Sequence, residues 1–119
     1  MRMNENEAHD PGKEAFHRKY RKVLKAFAKR LGLPEGSYEV RSCKGGPAVL
    51  GEVILHGEAI YIQVCRNYVY DGTNDPYTVL YRSCNGRKDY SGGQNRYMPV
   101  TALENEVGVH AVRAIGGCF

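Results

Sequence analysis

The chain has 119 residues, 42% of them hydrophobic and 25% charged, with a formal charge of +4. This balance fits one soluble globular domain and leaves too little chain for a second core. No apolar run approaches the ~20 residues needed to cross a bilayer, and Met1 to Gly12 is polar and acidic where a secretory leader would be basic and then apolar.

The expected organisation is a disordered acidic tail over residues 1–10, then a single α+β domain over 11–119 in a cytoplasmic protein with no membrane partner. Cys43, Cys65, Cys84 and Cys118 form no CxxC pair, which argues against a zinc ribbon or a disulfide framework and for reduced thiols. No HxH or HExxH spacing is present either, so neither a metal nor a cofactor is expected.

The positive charge is concentrated. Residues 13–30 hold eight Lys or Arg against Glu14 alone, a local +7. Phe16, Tyr20, Val23, Leu24, Phe27 and Leu31 recur at helical spacing in the same segment, Asp10-Pro11 supplies a start, and Gly32-Leu33-Pro34 supplies a stop. A helix over residues 11–31 follows, with Arg18, Arg21, Lys22, Lys25 and Lys29 gathered opposite the apolar stripe. Several of these cations are like-charge neighbours at i,i+4, each pair costing a few tenths of a kcal/mol. Either the ridge is a solvated face, or an anionic surface such as a phosphate backbone supplies the missing counter-charge.

Beyond Pro34 the pattern turns to short β-rich stretches broken by glycine. Strands are expected at Ser37–Lys44, Val49–Leu55, Ala59–Arg66 and Tyr77–Cys84, with turns at Gly45-Gly46-Pro47, His56-Gly57-Glu58 and the DGTNDP cluster of residues 71–76. Pro99 and Thr101–Glu104 read as a capping box for a short helix ending near Gly108, and Val109–Ile115 as the last strand. The predicted architecture is α+β: an amino-terminal amphipathic helix packed on an antiparallel sheet of about five strands, with a short helix before the last strand. Arg41-Ser42-Cys43-Lys44-Gly45 echoes Arg82-Ser83-Cys84-Asn85-Gly86, as two similar strand ends or as a shared thiol site.

Between Cys84 and Pro99 runs NGRKDYSGGQNRYM, a connection without apolar periodicity. Arg87, Lys88 and Arg96 are cations, Tyr90 and Tyr97 offer planes for stacking, Asn85, Gln94 and Asn95 offer amides, and Gly86, Gly92 and Gly93 allow close backbone approach. Such side chains suit single-stranded nucleic acid, and equally a protein-binding loop. The candidate binding residues are therefore Arg18, Arg21, Lys22, Lys25 and Lys29 on the ridge and Arg87, Lys88, Tyr90, Asn95, Arg96 and Tyr97 in the loop, with DNA, RNA or a host protein as partner.

Together with GGPAVLGEVILHGEAIYIQV upstream, the region spanning residues 43–101 resembles short uncharacterised proteins encoded on bacterial mobile genetic elements. The resemblance implies a bacterial setting and a role toward host nucleic acid or host defence proteins, and it assigns no activity. A small accessory protein that binds nucleic acid is the first expectation, and a protein-binding inhibitor or adaptor the second. A third arises because a helix packed on an antiparallel sheet resembles small bacterial ribonucleases; Glu58, Arg82 and His110 would then serve as base, phosphate ligand and acid.

Overall fold

Helix α1 runs from Pro11 to Leu31, the bounds its periodicity and punctuation predict. Its end is a Schellman motif: the Leu33 N–H donates to the Ala28 carbonyl and the Gly32 N–H to that of Lys29, both at 3.0 Å. Gly32 takes φ +84° there, where a Cβ would be strained. The structure, a computed structural model, describes residues 11–43, 51–66, 77–86, 89 and 92–116. The expected acidic tail, the turns at 45–47 and 71–76, and Cys118 lie outside the described residues.

Five strands follow: β1 Glu39–Cys43, β2 Glu52–His56, β3 Ile60–Arg66, β4 Tyr77–Ser83 and β5 Arg96–Pro99. They form one antiparallel sheet in the order β1-β2-β3-β4-β5, every strand hydrogen-bonded to its sequence neighbours. The fold is the expected α+β arrangement of an amino-terminal helix on a five-stranded antiparallel sheet.

The period of two sorts the strand residues between the two faces. Val53, Leu55, Ile60, Ile62, Val64, Val79 and Met98 face α1 and bury against Phe16, Tyr20, Leu24, Phe27 and Leu31. The stripe predicted from the helix is therefore the core, with Val23 at its half-buried margin. At the amino-terminal end of α1 the Phe16 and Tyr20 rings pack against Tyr77, one tilted and the other edge-on, with centroids 5.0 and 5.7 Å away.

Two expectations are corrected after β4. The connection expected between Cys84 and Pro99 contains most of β5, whose four residues are too few to display alternation. The expected strand Val109–Ile115 belongs instead to a helix, α2, from Glu106 to Gly116. Val107, Val109 and Ala111 imitate strand alternation, but Val109 and Val112 are the buried pair while Val107 is exposed, which is a helical spacing.

The short helix expected at Thr101–Glu104 is present as a 3-10 helix, Val100–Glu104, but no side chain caps its start. The cap is made one step later, where the Asn105 Oδ1 accepts from the Val107 N–H at 2.9 Å and so starts α2. Two arginines cross between the chain ends. Arg30 donates to the carbonyls of Leu103 and Glu104 at 3.3 and 3.1 Å, and Arg113 donates to those of Arg30 and Leu31 at 3.4 and 3.3 Å. Arg113 thereby satisfies carbonyls at the negative end of α1.

Candidate functional site

Two polar constellations stand out, one on each side of the sheet. The first lies between α1 and the edge strand β1. On the helix, Arg18, Lys22, Lys25 and Lys29 are exposed and Arg21 half-buried. On β1, the positions paired with Leu55 and Val53 are Val40 and Ser42, so these residues face the helix side at the sheet's margin. A cavity of about 460 Å³ lined by Glu14, His17, Arg18, Arg21, Lys22, Lys25 and Ser42 opens between them. A second, of about 340 Å³, continues past Lys25 and is lined by Lys29, Glu35, Gly36, Tyr38 and Val40. The five ridge cations therefore form one wall of a groove, with β1 opposite.

Arg21 crosses this groove, its Nη1 donating to the Ser42 hydroxyl at 3.4 Å. Among the described residues, Arg18, Lys22, Lys25 and Lys29 make no ion pair. Their like-charge crowding is left to solvent.

The second constellation is on the outer face of the sheet, away from α1. Strand register aligns Glu39, His56, Tyr61 and Arg82 in one row across four strands. Arg82 is 5% exposed, and its guanidinium carbon lies 3.8 Å from the Tyr61 ring centroid. The His56 ring meets the Tyr61 ring edge-on at 5.1 Å. His56 is fully buried, its Nε2 3.1 Å from the Gly86 carbonyl and its Nδ1 3.4 Å from the Arg41 guanidinium, which also pairs with Glu39 at 3.1 Å.

Burial lowers the His56 pKa, and the positive charges of Arg41 and Arg82 lower it further against the opposing pull of the Gly86 carbonyl and Asp89. His56 is thus held neutral, with its Nε2 placed to donate to Gly86. Burial likewise raises the Tyr61 hydroxyl pKa.

The chain beyond β4 packs back onto this face. The Gly86 N–H donates to the Glu58 carbonyl at 2.7 Å, and the Asp89 carboxylate accepts from the Asn85 and Gly92 N–H groups, both at 2.9 Å. The Gly93 N–H donates to the Ser83 carbonyl at 2.9 Å. Gly92 has φ +48°, and a Cβ on it would come within 2.7 Å of the Arg82 Nε. The close backbone approach expected of Gly86, Gly92 and Gly93 is made at Gly92 and Gly93, where its object is the protein's own fourth strand, while the space beside Gly86 is open.

The structure does not merge the ridge and the loop into one surface. The groove borders β1, whereas Arg96 and Tyr97 are on β5 at the opposite edge, about 19 Å away across the sheet. Asn95 and Arg96 are exposed, and Tyr97, 44% exposed, projects on the outer face beside Leu80. Arg87, Lys88 and Tyr90 lie outside the described residues.

Nor do Glu58, Arg82 and His110 assemble as a ribonuclease-like set. Glu58 is exposed in the β2–β3 connection and Arg82 is buried on the outer face, while His110 is exposed on α2, which packs on the helix side.

The echoed Arg-Ser-Cys tracts supply Arg82, the end of the row, and Arg41, which reaches His56, but not a joint thiol site. Cys43 is exposed on β1, and Cys84 is buried, its Sγ donating to the Gly57 carbonyl at 3.4 Å. Burial raises the Cys65 and Cys84 pKa values, so neither thiol is activated. Among the described residues no group of three His, Cys, Asp or Glu side chains could hold a metal, and no helix is long and apolar enough to cross a membrane.

Sequence reasoning missed His56, Tyr61 and Arg41. The available signal was the short hairpin between β2 and β3, which puts His56 opposite Tyr61. No protein-family model matches the chain, and no curated protein or solved structure matches it.

Proposed function

We propose that the protein binds nucleic acid through the groove between α1 and β1, as a non-enzymatic accessory factor of a bacterial mobile element acting in the cytoplasm. The observation that carries this reading is the line of Arg18, Lys22, Lys25 and Lys29, exposed and without ion pairs among the described residues, along two adjoining cavities that share Lys25. A phosphate backbone relieves their mutual repulsion and releases condensed counterions on binding. The resemblance of residues 43–101 to mobile-element proteins supports the biological setting.

The test replaces Arg18, Lys22, Lys25 and Lys29 by Gln and measures binding to labelled DNA and RNA over a salt series. Affinity should fall, and the slope of log affinity against log salt should flatten by up to about one unit per lost phosphate contact. Parent protein that shifts neither probe at low salt refutes the proposal.

A second reading, a protein-binding adaptor, is favoured by one feature. β5 is an edge strand with Arg96 and Tyr97 exposed and Asn95 exposed just before it, and Tyr and Arg are enriched in protein contacts. It predicts a stoichiometric complex sensitive to Tyr97→Ala and indifferent to the ridge.

A further inference from the structure

We infer that the groove is shaped for a single strand, with a base stacking on Tyr38, and that duplex is the weaker ligand. This rests on the nucleic-acid reading above and narrows its substrate class.

The argument begins with the asymmetry of the groove. One wall belongs to α1 and is cationic apart from Glu14; the other side is β1 with the residues leading into it, which contribute Glu35, Tyr38, Val40 and Ser42. A phosphate needs only the cationic wall. Tyr38 and Val40 are half-buried, packed against the core on one side and lining the cavity at the Lys29 end on the other; the surface they give the cavity has no use for phosphate, but it matches the exposed face of an unpaired base.

Dimensions point the same way. From Arg18 to Lys29 the cations cover eleven helical rises, about 16 Å, long enough for a short run of single strand. Toward the Arg18 end of that run the Arg21 guanidinium is within 3.4 Å of the Ser42 hydroxyl, so wall and strand are already in contact there. A duplex presents its bases stacked and paired inside two phosphate rows. It can lie on the rim and meet the outer cations, but it cannot lower a base to Tyr38.

Tyr38 sits where a stacked base would be held by both kinds of contact. It shares its cavity with Lys25 and Lys29, and Lys25 also lines the adjoining cavity. A strand running past Lys22, Lys25 and Lys29 therefore delivers its base to the ring while its phosphates stay on the lysines.

The test compares an oligothymidylate of about twelve nucleotides, within the site size of such grooves, with a duplex of equal length, by fluorescence anisotropy over a salt series. The single strand should bind more tightly. Tyr38→Leu should weaken single-strand binding about tenfold with its salt slope unchanged, Tyr38→Phe should bind like the parent, and Lys25→Gln should lower the slope for both probes.

Equal or tighter binding of duplex, or a folded Tyr38→Leu protein that binds the single strand like the parent, overturns the inference and leaves the nucleic-acid reading standing. Absence of binding to either probe overturns both. Should Tyr38→Leu not fold, the parent's preference between the two probes decides.

Discussion

Arg82 lies face-on over the ring of Tyr61, its direct partner across the β3–β4 pair, with the guanidinium carbon 3.8 Å from the ring centroid. Both are buried, so the contact operates where water screens it little and its strength is at the upper end for such pairs. Tyr61→Leu should therefore cost about 2 to 4 kcal/mol, the sum of lost ring burial and lost attraction for the cation. Tyr61→Phe keeps the ring and loses only the hydroxyl's 2.9 Å donation to Gln63, and should cost about 1 kcal/mol. Urea denaturation of the two variants measures the difference.

His56 makes stability depend on pH in a defined direction. Its folded pKa is lowered from 6.5, so below that value the unfolded chain takes up a proton that the folded chain resists. Its contribution is fully present above 6.5 and is lost as pH falls from there through the folded value. The urea midpoint should decline between about pH 7.5 and 5.5, above the range where most carboxylates titrate. In His56→Gln the decline over that window should flatten; an equally steep decline would assign it to other groups.

Gly92 and Gly36 both have positive φ, +48° and +83°, but only Gly92 is crowded. Gly36→Ala should cost about 1 kcal/mol, the penalty for a side chain in that conformation. Gly92→Ala adds a Cβ that meets Arg82 and the Ser83 carbonyl, and should cost about 2 to 4 kcal/mol. Thermal melts of the pair separate backbone strain from collision.

Gly108 offers the opposite lesson for a helix interior. Glycine to alanine in an exposed helix gains about 1 kcal/mol. Here the added carbon would run into the Ala102 carbonyl and come within 3.3 Å of the Phe27 ring, so Gly108→Ala should lower the melting temperature. Phe27, fully buried at the centre of the stripe, should cost about 3 to 5 kcal/mol when truncated to alanine.

What could be read from the chain beforehand divides by the range of the forces involved. α1 was legible to the residue because Asp10-Pro11 and Gly32-Leu33-Pro34 act locally and the Phe16-to-Leu31 stripe is long enough to define a period. The first four strands were legible for the same reason. β5 was not, since Met98 is its single buried side chain, and α2 was not, because its short apolar run fits either period and tertiary packing decided between them.

The groove was half visible. Its cations could be counted along α1, but Tyr38, Val40 and Ser42 become its other side only once β1 lies at the sheet's edge. The row from Glu39 to Arg82 was invisible, because it is drawn across four strands and exists only in their register.

The reciprocal arginines have a kinetic consequence. Every strand pairs with its neighbour in sequence, so the sheet can be assembled by successive local closures. The bonds from Arg30 to Leu103 and Glu104, and from Arg113 back to Arg30 and Leu31, instead join positions 73 to 83 residues apart. They demand the most loop entropy and return it only when both helices are formed. Removing Arg113 should thus speed unfolding while leaving the refolding rate nearly unchanged, the signature of a clasp that shuts after the rate-limiting step.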